Sequence, residues 1–515
     1  LLSELTDLFF PAHFAARPSL LPLPPRYARH LARTTIGEGF GAGVLLLASA
    51  VKVWYNYLMQ LKTSIAVAAC KLARFGLRKL GRGGTDLPGR IALKLCPDLL
   101  GRLAKDVTVV IVTGTNGKTT TSRMIEQAVA DTGISYLANR SGANLLSGVT
   151  AEFCAATNTL SGKCRHPFAL IEADEAAFKA ISRYVDPKAI VVTNVFRDQL
   201  DRYGEVTHTL DNIRIGIENS PNALVCLNAD DSLVSSLAES IPNEIMYYGV
   251  NVPVYAERVA EVSDAPYCIR CKHEYEYSYI TYGHLGGYKC PHCGYARPTP
   301  AVSVTAVRSS NEKGSDITLT TDGQSFDTTV ALPGGYNIYN ACAAMAMGKA
   351  IGLDPAVTAR ALEHFSCGFG RMEVFNIQGH SLRMILIKNP AGCNQVLNYL
   401  TAASEPVLFV ACLNDRTQDG KDISWIWDVD FERLNVMGDR LAGIYVSGIR
   451  AEDMALRFRY AGIPMEKLQV YKDYGKRMET ILAQDKPACI MPTYTAMLDL
   501  RNHISCTYGV KEFWK

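Results

Sequence analysis

A glycine-rich turn directly after an apolar run constrains this 515-residue chain more than any other feature. The run covers residues 109–112, and the turn reads Thr-Gly-Thr-Asn-Gly-Lys-Thr-Thr from Thr113 to Thr120. Glycines let backbone N–H groups approach a phosphate, a helix N-terminus adds its dipole, and a threonine hydroxyl can reach a magnesium ion. The pattern therefore predicts an ATP site. Its nucleotide-binding residues are Gly114, Thr115, Asn116, Gly117, Lys118, Thr119 and Thr120.

The turn departs from the usual phosphate-loop pattern, because Val112 stands where the first glycine is expected. A Gly-Thr-Asn-Gly-Lys-Thr-Thr loop resembles the variant loop of the Mur ligase family, whose members activate carboxylates with ATP. The alternative is an ordinary glycine turn with a surface lysine. The apolar strand before the turn and the helix-like sequence after it disfavour that alternative.

Length and composition favour an enzyme of several domains. The chain is long enough for about three domains, and its hydrophobic content of 48% supports real cores. The net charge of +3 gives no general case for nucleic-acid binding. Most of the 15 cysteines are scattered, several of them in apolar segments, so we expect free thiols in a reducing cytoplasm. These apolar-segment cysteines are Cys70, Cys154, Cys226, Cys342 and Cys412.

The N-terminal part of the chain reads differently from the rest. Residues 1–58 are rich in proline and arginine, and their apolar run at 40–51 is too short to cross a bilayer. We expect residues 1–58 to be an atypical extension, with the natural chain starting at Met59. N-terminal mass spectrometry of the native protein tests this expectation, since a peptide from residues 10–40 would refute it.

Residues 59–100 are expected to form an N-terminal helical segment, with a helical pattern from Leu61 to about Leu80. Its basic residues allow a peripheral contact with an anionic membrane surface. An ordinary solvated helix face is the more common reason for such charges. The basic residues are Lys71, Arg74, Arg78, Lys79 and Arg82.

Strands and helices alternate after the phosphate loop. Apolar runs at 168–171, 189–192 and 224–227 are each followed by helix-like sequence, which predicts an α/β domain with a parallel-rich sheet over residues 101–372. Ligands of such sheets lie at the carboxyl ends of the strands. Glu172 follows the first run, so it could hold magnesium together with Thr119.

Three further segments extend the resemblance to the Mur ligase family. Residues 192–204 are similar to a family segment that contains two histidines, but Gln199 and Tyr203 replace them, so we assign no metal ligand there. Residues 332–341 and 370–373 resemble two nucleotide-contacting segments. The resemblance implies that Asn337 lies against the nucleotide and that Arg371 reaches a phosphate. The alternatives are a helix cap for Asn337 and a surface ion pair for Arg371.

Four cysteines lie inside this domain at the spacing of a zinc ribbon. Cys268 and Cys271 are followed, after eighteen residues, by Cys290 and Cys293. Two such knuckles can place four thiolates tetrahedrally around one zinc ion, which closes its coordination shell and makes the metal structural. Disulfides are the alternative. The ribbon is expected to cover residues 266–297 and to contain two or three strands.

The last part of the chain, residues 373–515, is predicted to be a smaller α/β domain. Apolar runs at 407–413, 443–446 and 488–491 indicate its buried strands. Residues 413–430, called here the acidic loop, combine several aspartates with two tryptophans. Such a loop at the carboxyl end of a strand indicates a partner or a substrate. Alternatively, the tryptophans pack beneath the loop and the aspartates are turn residues.

A four-cysteine ribbon, Asn-Pro-Ala-Gly at 389–392 and Asp-Gly-Lys-Asp-Ile-Ser-Trp-Ile-Trp-Asp at 419–428 together give a closer resemblance. Over about residues 59–515 the chain resembles the MurT family, the synthetase subunits of lipid II isoglutaminyl synthase. This resemblance implies ATP, Mg²⁺ and a structural Zn²⁺. It also implies amidation of the α-carboxyl of D-glutamate in the lipid II stem peptide through an acyl phosphate, during peptidoglycan biosynthesis at the inner face of the cell membrane.

The same resemblance implies a partner, a GatD-like glutamine amidotransferase that supplies ammonia. It further implies that an aspartate of the C-terminal domain completes a Cys-His pair on that partner. Asp422 is the first choice for this catalytic role, ahead of Asp419 and Asp428.

Two other functions stay open from the residues alone. One is a Mur or folylpolyglutamate-type ligase that adds an amino acid. The other is a phosphate-loop NTPase scaffold whose ribbon binds nucleic acid. Glu274 and Glu276 in the ribbon disfavour the second, because they do not suit a surface that follows a phosphate backbone.

Overall fold

The structure is a computed structural model. Thr63–Lys515 form one compact unit, and the part of the first helix before Thr63 belongs to a separate unit. The described residues are 41–79, 86–140, 143–198, 206–254, 263–311, 313–365, 372–402, 404–484 and 486–510.

The first helix, α1, covers Gly41–Lys79. It begins well before Leu61, where the sequence predicts a helical pattern, because no glycine or proline interrupts residues 44–75. Within the compact unit, small side chains such as Ala66 and Val67 are buried against its core. Among the helices of the described residues, none combines the length and the apolarity that crossing a bilayer requires.

Short helices and a long α/β region follow in the chain. The helices are α2 (Leu87–Leu95), α3 (Leu99–Ala104), α4 (Lys118–Asp131), α5 (Leu146–Ala156), α6 (Glu175–Ile181), α7 (Val206–Glu218), α8 (Ser232–Ser236), α9 (Gly335–Ile351) and α10 (Pro355–His364). The strands are β1 (Thr108–Thr113), β2 (Tyr136–Ala138), β3 (Phe168–Glu172), β4 (Pro187–Val192), β5 (Leu224–Asn228), β6 (Ile245–Val250), β7 (Glu276–Tyr282), β8 (Leu285–Lys289), β9 (Val302–Asn311), β10 (Gly314–Thr321) and β11 (Gln324–Val330).

In the described ranges, nine of these strands form the central sheet, in the order β11-β10-β9-β6-β5-β4-β1-β3-β2. The six strands β1 to β6 and the adjoining β9 pair in parallel, whereas the pairs β9 with β10 and β10 with β11 are antiparallel. Buried side chains of α5, α6 and α7 cover one face, and those of α4, α9 and α10 cover the other. The parallel-rich α/β sheet predicted from the apolar runs is therefore confirmed.

The C-terminal region forms a second, smaller sheet with its own helices. Its strands are β12 (Glu373–Ile377), β13 (His380–Met384), β14 (Val407–Cys412), β15 (Leu441–Ser447), β16 (Leu468–Val470) and β17 (Ala488–Pro492). Its helices are α11 (Pro390–Thr401), α12 (Ala451–Tyr460), α13 (Tyr474–Leu482) and α14 (Tyr494–Tyr508). Among the described residues the strand order is β12-β13-β17-β14-β15-β16, and all pairs except β12 with β13 are parallel.

The predicted strands of the C-terminal region are confirmed by β14, β15 and β17. The reason is simple: strands buried on both faces read as continuous apolar runs. Apolar side chains of these strands enter two cores, one on each face of the sheet. As in the central sheet, polar residues are therefore expected in the loops at the carboxyl ends of the strands, where ligands of such sheets bind.

Candidate active site

The phosphate loop, residues 114–120, connects β1 to α4 as its sequence predicts. Gly114 has a φ of +117° and Gly117 a φ of +84°, conformations that glycine adopts at little cost. A Cβ on Gly117 would lie 2.1 Å from Oδ1 of Asn340, and one on Gly114 would lie 2.4 Å from Oγ1 of Thr193. Both glycines are therefore required by close packing as well as by backbone conformation.

Residues just after β4 hold the phosphate loop in place. The N–H of Asn116 donates to Oδ1 of Asn194 at 2.9 Å, and the N–H of Thr115 donates to the backbone oxygen of Asn194 at 2.8 Å. Oγ1 of Thr193 donates to the Asn116 carbonyl at 2.7 Å. Thr-Asn is the start of the segment that resembles the Mur ligase family, and its side chains shape the loop.

Lys118 is buried at the start of α4. Its Nζ donates to the carbonyls of Gly114 and of Thr115, the latter at 3.2 Å, and lies 3.4 Å from Oε2 of Glu175. Burial disfavours the charge, but nearby carboxylates, Glu175 foremost, outweigh burial and raise the pKa of Lys118. The ammonium group is thus a stable positive charge beside the loop.

Thr119 and Glu172, assigned to one magnesium ion from sequence, meet in the structure. Oγ1 of Thr119 donates to Oε1 of Glu172 at 3.0 Å. Asn139 fixes the backbone of Glu172 through two hydrogen bonds of 2.8 Å. A hydroxyl and a carboxylate at the phosphate loop are the oxygen donors that magnesium prefers, so the pair fits this ion.

Asn337 lies in the first turn of α9. Its Nδ2 donates to the Pro333 carbonyl at 2.8 Å, and its Oδ1 accepts from Asn340 at 3.0 Å. Asn340 in turn accepts from Oγ1 of Thr121 at 3.3 Å, so α9 is linked to α4 behind the loop. Asn337 and Asn340 both line the cleft beside the loop.

Four other side chains discussed from sequence lie outside the described residues. They are Arg82, Gln199, Tyr203 and Arg371.

The cleft contains about 760 Å³ of empty space when its open mouth is included, and segments that follow strands of both sheets line it. Nζ of Lys388, just after β13, lies 2.5 Å from Oδ2 of Asp198 and donates to the Thr115 carbonyl at 3.2 Å. Nδ2 of Asn389 donates to Oδ1 of Asn116 at 3.0 Å. The C-terminal region therefore touches the phosphate loop directly.

Lys388 and Asp198 were missed as site residues by sequence reasoning. A usable signal exists, since Lys388 stands between an apolar run and the Asn-Pro-Ala-Gly segment, at the carboxyl end of a strand. Apolar and aromatic side chains complete the cleft, as is usual for a small-molecule site. They include Tyr282, Leu332, Tyr336, Met372, Ile385 and Val396.

The four ribbon cysteines converge, as their spacing predicts. Their Sγ atoms all lie within 4.8 Å of one another, with 3.5 Å between Cys268 and Cys293 and 3.4 Å between Cys271 and Cys290. All four are free thiols. Tetrahedral zinc with Zn–S bonds of about 2.3 Å places sulfurs roughly 3.8 Å apart, so the cluster fits that ion.

The tip of the ribbon hairpin packs near the phosphate loop. β7 and β8 form a two-stranded hairpin, and the Tyr282 ring at its tip stacks on Phe196 with 5.5 Å between centroids. The backbone N–H of Phe196 donates to Oγ1 of Thr115 at 3.1 Å. A single layer of side chains thus separates the ribbon from the loop.

The acidic loop follows β14, and its three candidate aspartates differ in burial and in hydrogen-bond partners. Asp419 is buried and accepts hydrogen bonds from the N–H and Oγ1 of Thr495. Asp428 pairs with Arg197 at 2.7 Å. Asp422 is partly exposed and accepts the Ser424 N–H at 2.8 Å. That hydrogen bond, followed by one from the Ser424 side chain, lowers the pKa of Asp422 below its usual value.

The two tryptophans of this loop also differ. Trp425 packs against the core of the C-terminal sheet, whereas Trp427 is 48% exposed. The guanidinium of Arg457 lies 5.6 Å from the Trp427 ring, and the Tyr460 ring lies 5.5 Å from it. The expectation that both tryptophans pack beneath the loop therefore holds for only one of them.

Comparisons with known proteins agree with this geometry. The Mur ligase middle domain matches residues 112–267, and the MurT ligase C-terminal domain matches residues 386–497. Among solved structures, MurF from Acinetobacter baumannii has a TM-score of 0.59 at 16% identity, with 80% of each chain covered. A pseudomurein peptide ligase type C from Methanothermus fervidus has a TM-score of 0.58 at 19% identity, covering 79% of this chain and 80% of that one.

The fold and the phosphate loop thus define a Mur ligase-type enzyme. The MurT subunit of the glutamine-hydrolysing lipid II isoglutaminyl synthase of Streptococcus pneumoniae is 36% identical over 88% of this chain and 99% of its own length. Its counterpart from Staphylococcus aureus strain COL is 33% identical over 86% and 98%. The chain belongs to the MurT family of ligases.

Proposed function

We propose that this chain is the ATP-dependent synthetase subunit of a lipid II isoglutaminyl synthase. It converts the α-carboxyl of D-glutamate in the lipid II stem peptide into an amide, which makes D-isoglutamine for peptidoglycan. The similarity to the Streptococcus pneumoniae MurT subunit along 99% of that protein carries the proposal. The cleft supports it, because a phosphate loop, two lysines and an acid-rich edge suit the activation of a carboxylate.

The first step consumes ATP, because a carboxylate is a poor electrophile. A carboxylate oxygen attacks the γ-phosphorus, the bond to ADP breaks, and an acyl phosphate forms. In this proposal, Lys118 and Lys388 beside the phosphate loop offset negative charge on the transferred group, and Asn337 and Asn340, which line the cleft, face the nucleotide. Arg371 is proposed to reach a phosphate.

Thr119 and Glu172 would hold Mg²⁺, which would supply positive charge that offsets the negative charge of the transferred phosphoryl group. In the ribbon, Cys268, Cys271, Cys290 and Cys293 would hold a structural Zn²⁺. That insertion has a small core of its own, made mainly of tyrosines and two of the cysteines, so a metal is the expected source of its stability.

The second step needs ammonia. Ammonia attacks the acyl carbon, the bond to phosphate breaks, and a proton leaves the nitrogen, so the products are an amide and inorganic phosphate. We propose that a GatD-like glutamine amidotransferase releases this ammonia. Asp422 is proposed to orient the histidine of that partner, as an aspartate does in a hydrolase triad. Its accessibility and its lowered pKa support this role.

The reaction is proposed to run on the cytoplasmic face of the membrane, with α1 in peripheral contact with anionic lipid. Leu72 and Phe75 are 71% and 62% exposed, and the exposed Arg78 and Lys79 follow them. Sedimentation with vesicles that contain phosphatidylglycerol tests this contact. Leu72→Glu should weaken the binding, and vesicles of phosphatidylcholine alone should bind little.

The proposed function is tested with the chain, its amidotransferase, ATP, glutamine and lipid II in one reaction. Mass spectrometry should show lipid II whose stem-peptide acid has become an amide, only when every component is present. Ligation of an amino acid by the chain alone would instead select a Mur or folylpolyglutamate-type ligase. Salt-sensitive binding of DNA or RNA without amide formation would select a nucleic-acid scaffold.

A further inference from the structure

At the carboxyl edge of the C-terminal sheet, the topology reverses between β14 and β17. These strands are neighbours, but the segments after them cover opposite faces of the sheet. Phe431, after β14, belongs to one core, and Leu500 of α14, after β17, belongs to the other. In open α/β sheets such a reversal creates the crevice where ligands bind.

In this chain, the carboxylate of Asp419 occupies that crevice. Its side chain accepts the N–H of Thr495 at 2.7 Å, the Thr495 hydroxyl at 2.5 Å and the N–H of Arg416 at 3.2 Å. The Thr495 N–H belongs to the first turn of α14, a position that favours a negative charge. Asp419 is only 5% exposed, so the acidic loop closes the crevice with its own anion.

Asn414 strengthens the same anchor from the start of the loop. Its N–H donates to Oγ1 of Thr493 and its Nδ2 donates to Oγ1 of Thr495, both at 2.9 Å. Its Oδ1 accepts the N–H of Ile449 at 2.9 Å, which ties in the loop after β15. The base of the acidic loop is therefore fixed by buried hydrogen bonds to two neighbouring segments.

Asp422 lies three residues beyond this anchor. Its carboxylate is partly exposed, and the hydrogen bonds that it accepts come from the N–H and the side chain of nearby Ser424, so it can still meet a group from outside the chain. Beyond it, Asp428 is fixed by Arg197. A short exposed stretch with an acidic group is thus held between two fixed points, which limits the loss of conformational entropy when a partner binds.

We infer that Asp419 is a positioning residue, which anchors the acidic loop at α14 so that Asp422 meets the catalytic histidine of the amidotransferase. This inference rests on the proposed function. It assigns the two aspartates separate roles: Asp422 touches the partner, and Asp419 acts only through the loop. Glutamine hydrolysis should therefore depend on Asp419, whereas chemistry at the phosphate loop should not.

The test uses the intact complex with lipid II and ATP, and with either glutamine or ammonium chloride as nitrogen source. Asp419→Asn should lower glutamine-driven amidation and glutamine hydrolysis about 10- to 100-fold, the range expected for loss of a hydrogen-bonded charge. The KM for glutamine and the ammonium-driven rate should stay near wild type. Thr495→Val should act in the same direction, while Thr495→Ser, which keeps the hydroxyl, should restore activity.

Asp422→Asn serves as the matched comparison and should remove glutamine hydrolysis more completely than Asp419→Asn. The inference is overturned if Asp419→Asn leaves glutamine hydrolysis intact, or if it lowers the ammonium-driven rate equally, which would indicate a general structural role. Hydrolysis that survives Asp422→Asn but not Asp419→Asn would also overturn it. A wild-type complex that makes no amide from either nitrogen source would instead refute the proposed function.

Discussion

The carboxyl edges of the two sheets carry buried side chains of opposite charge, Lys118 at the central sheet and Asp419 at the C-terminal sheet. At the central sheet, the phosphate loop lies beside an open cleft, and it carries a buried lysine and a hydroxyl that donates to a carboxylate. At the C-terminal sheet, Asp419 closes the equivalent crevice and leaves Asp422 outside. Under the proposed function, one topology would serve a substrate phosphate in the first case and a protein partner in the second. The difference is that the C-terminal sheet has the carboxylate of Asp419 at its carboxyl edge, whereas the central sheet leaves space there for a phosphate from outside the chain.

The largest effect is expected at the open edge. Lys118→Met should lower amidation about 10²- to 10³-fold with glutamine or ammonium alike, because one charge-stabilising donor is lost from a preorganised site. Lys163→Met, at an exposed lysine, is the matched control. Steady-state rates with both nitrogen sources measure the effect. An unchanged rate in Lys118→Met would mean that the open edge does not carry the phosphoryl chemistry.

The charge of Lys118 also makes a pH prediction. Since its pKa is raised above the usual 10.5, the folded protein keeps this proton over the whole neutral range. A raised pKa contributes stability below the unfolded value, and this contribution disappears as pH rises through the folded value. Wild-type ATP affinity, measured by calorimetry between pH 6 and pH 9, roughly the stable range of such folds, should therefore show no step from this group.

Removal of the ribbon metal should have the next largest effect, on stability and on the open edge together. Cys290→Ser should abolish stoichiometric zinc and lower the Tm by about 5–10 °C, because a few kcal/mol of metal-linked stability is lost. Since Tyr282 stacks on Phe196 beside the loop, ATP affinity should fall as well. Cys506→Ser, at an exposed cysteine outside the ribbon, is the control. Zinc analysis and thermal unfolding measure both variants, and normal ATP affinity without zinc would uncouple the ribbon from this edge.

A smaller change tests the backbone of the open edge. Gly117→Ala should weaken ATP binding about tenfold or more, because the new Cβ would meet Oδ1 of Asn340 and disfavour the positive φ. Gly133→Ala is a matched control, since Gly133 also has a positive φ, of +78°, but has open space around it. Gly133→Ala should lower the free energy of unfolding by about 1 kcal/mol. Gly117→Ala should lower it further because of the added clash with Asn340, and only Gly117→Ala should change the Kd. Equal Kd changes would show that backbone strain alone matters.

The smallest effect is expected where the two edges are linked by Arg197 and Asp428. Both side chains are partly exposed, so a double-mutant cycle with Arg197→Ala and Asp428→Ala should give a coupling energy of about 0.2–1 kcal/mol. The coupling should decrease as salt is added. A larger, salt-independent coupling would mean that the two edges act as one unit.

Much of the fold could be predicted because its signals are local. The runs at 168–171 and 488–491 became β3 and β17, since a strand buried on both faces is apolar throughout. The four cysteine thiols also lie together as predicted, because two Cys-x-x-Cys pairs joined by a short hairpin bring them close in space. The start of α1 was placed too late, because a helix that lacks breakers continues through residues of mixed polarity.

Parts of the site resisted prediction because they depend on distant packing. Lys388 meets Asp198 across 190 positions of sequence. Its place after an apolar run marks Lys388 as a strand-end lysine, but no local pattern specifies that it pairs with Asp198 and reaches the phosphate loop. Asp419 and Asp422 are both plausible turn residues in the sequence. Only the contact between the start of α14 and the acidic loop buries Asp419 and leaves Asp422 accessible.

By itself, the sequence determined the phosphate loop, the alternation of strands and helices and the cysteine ribbon, because each depends on residues close together in the chain. The tertiary structure decided which lysine from the second sheet reaches the loop and which aspartate stays exposed. The physical reason is that these choices follow from long-range packing: a side chain acquires its partners, its burial and its charge environment only when separate elements come together.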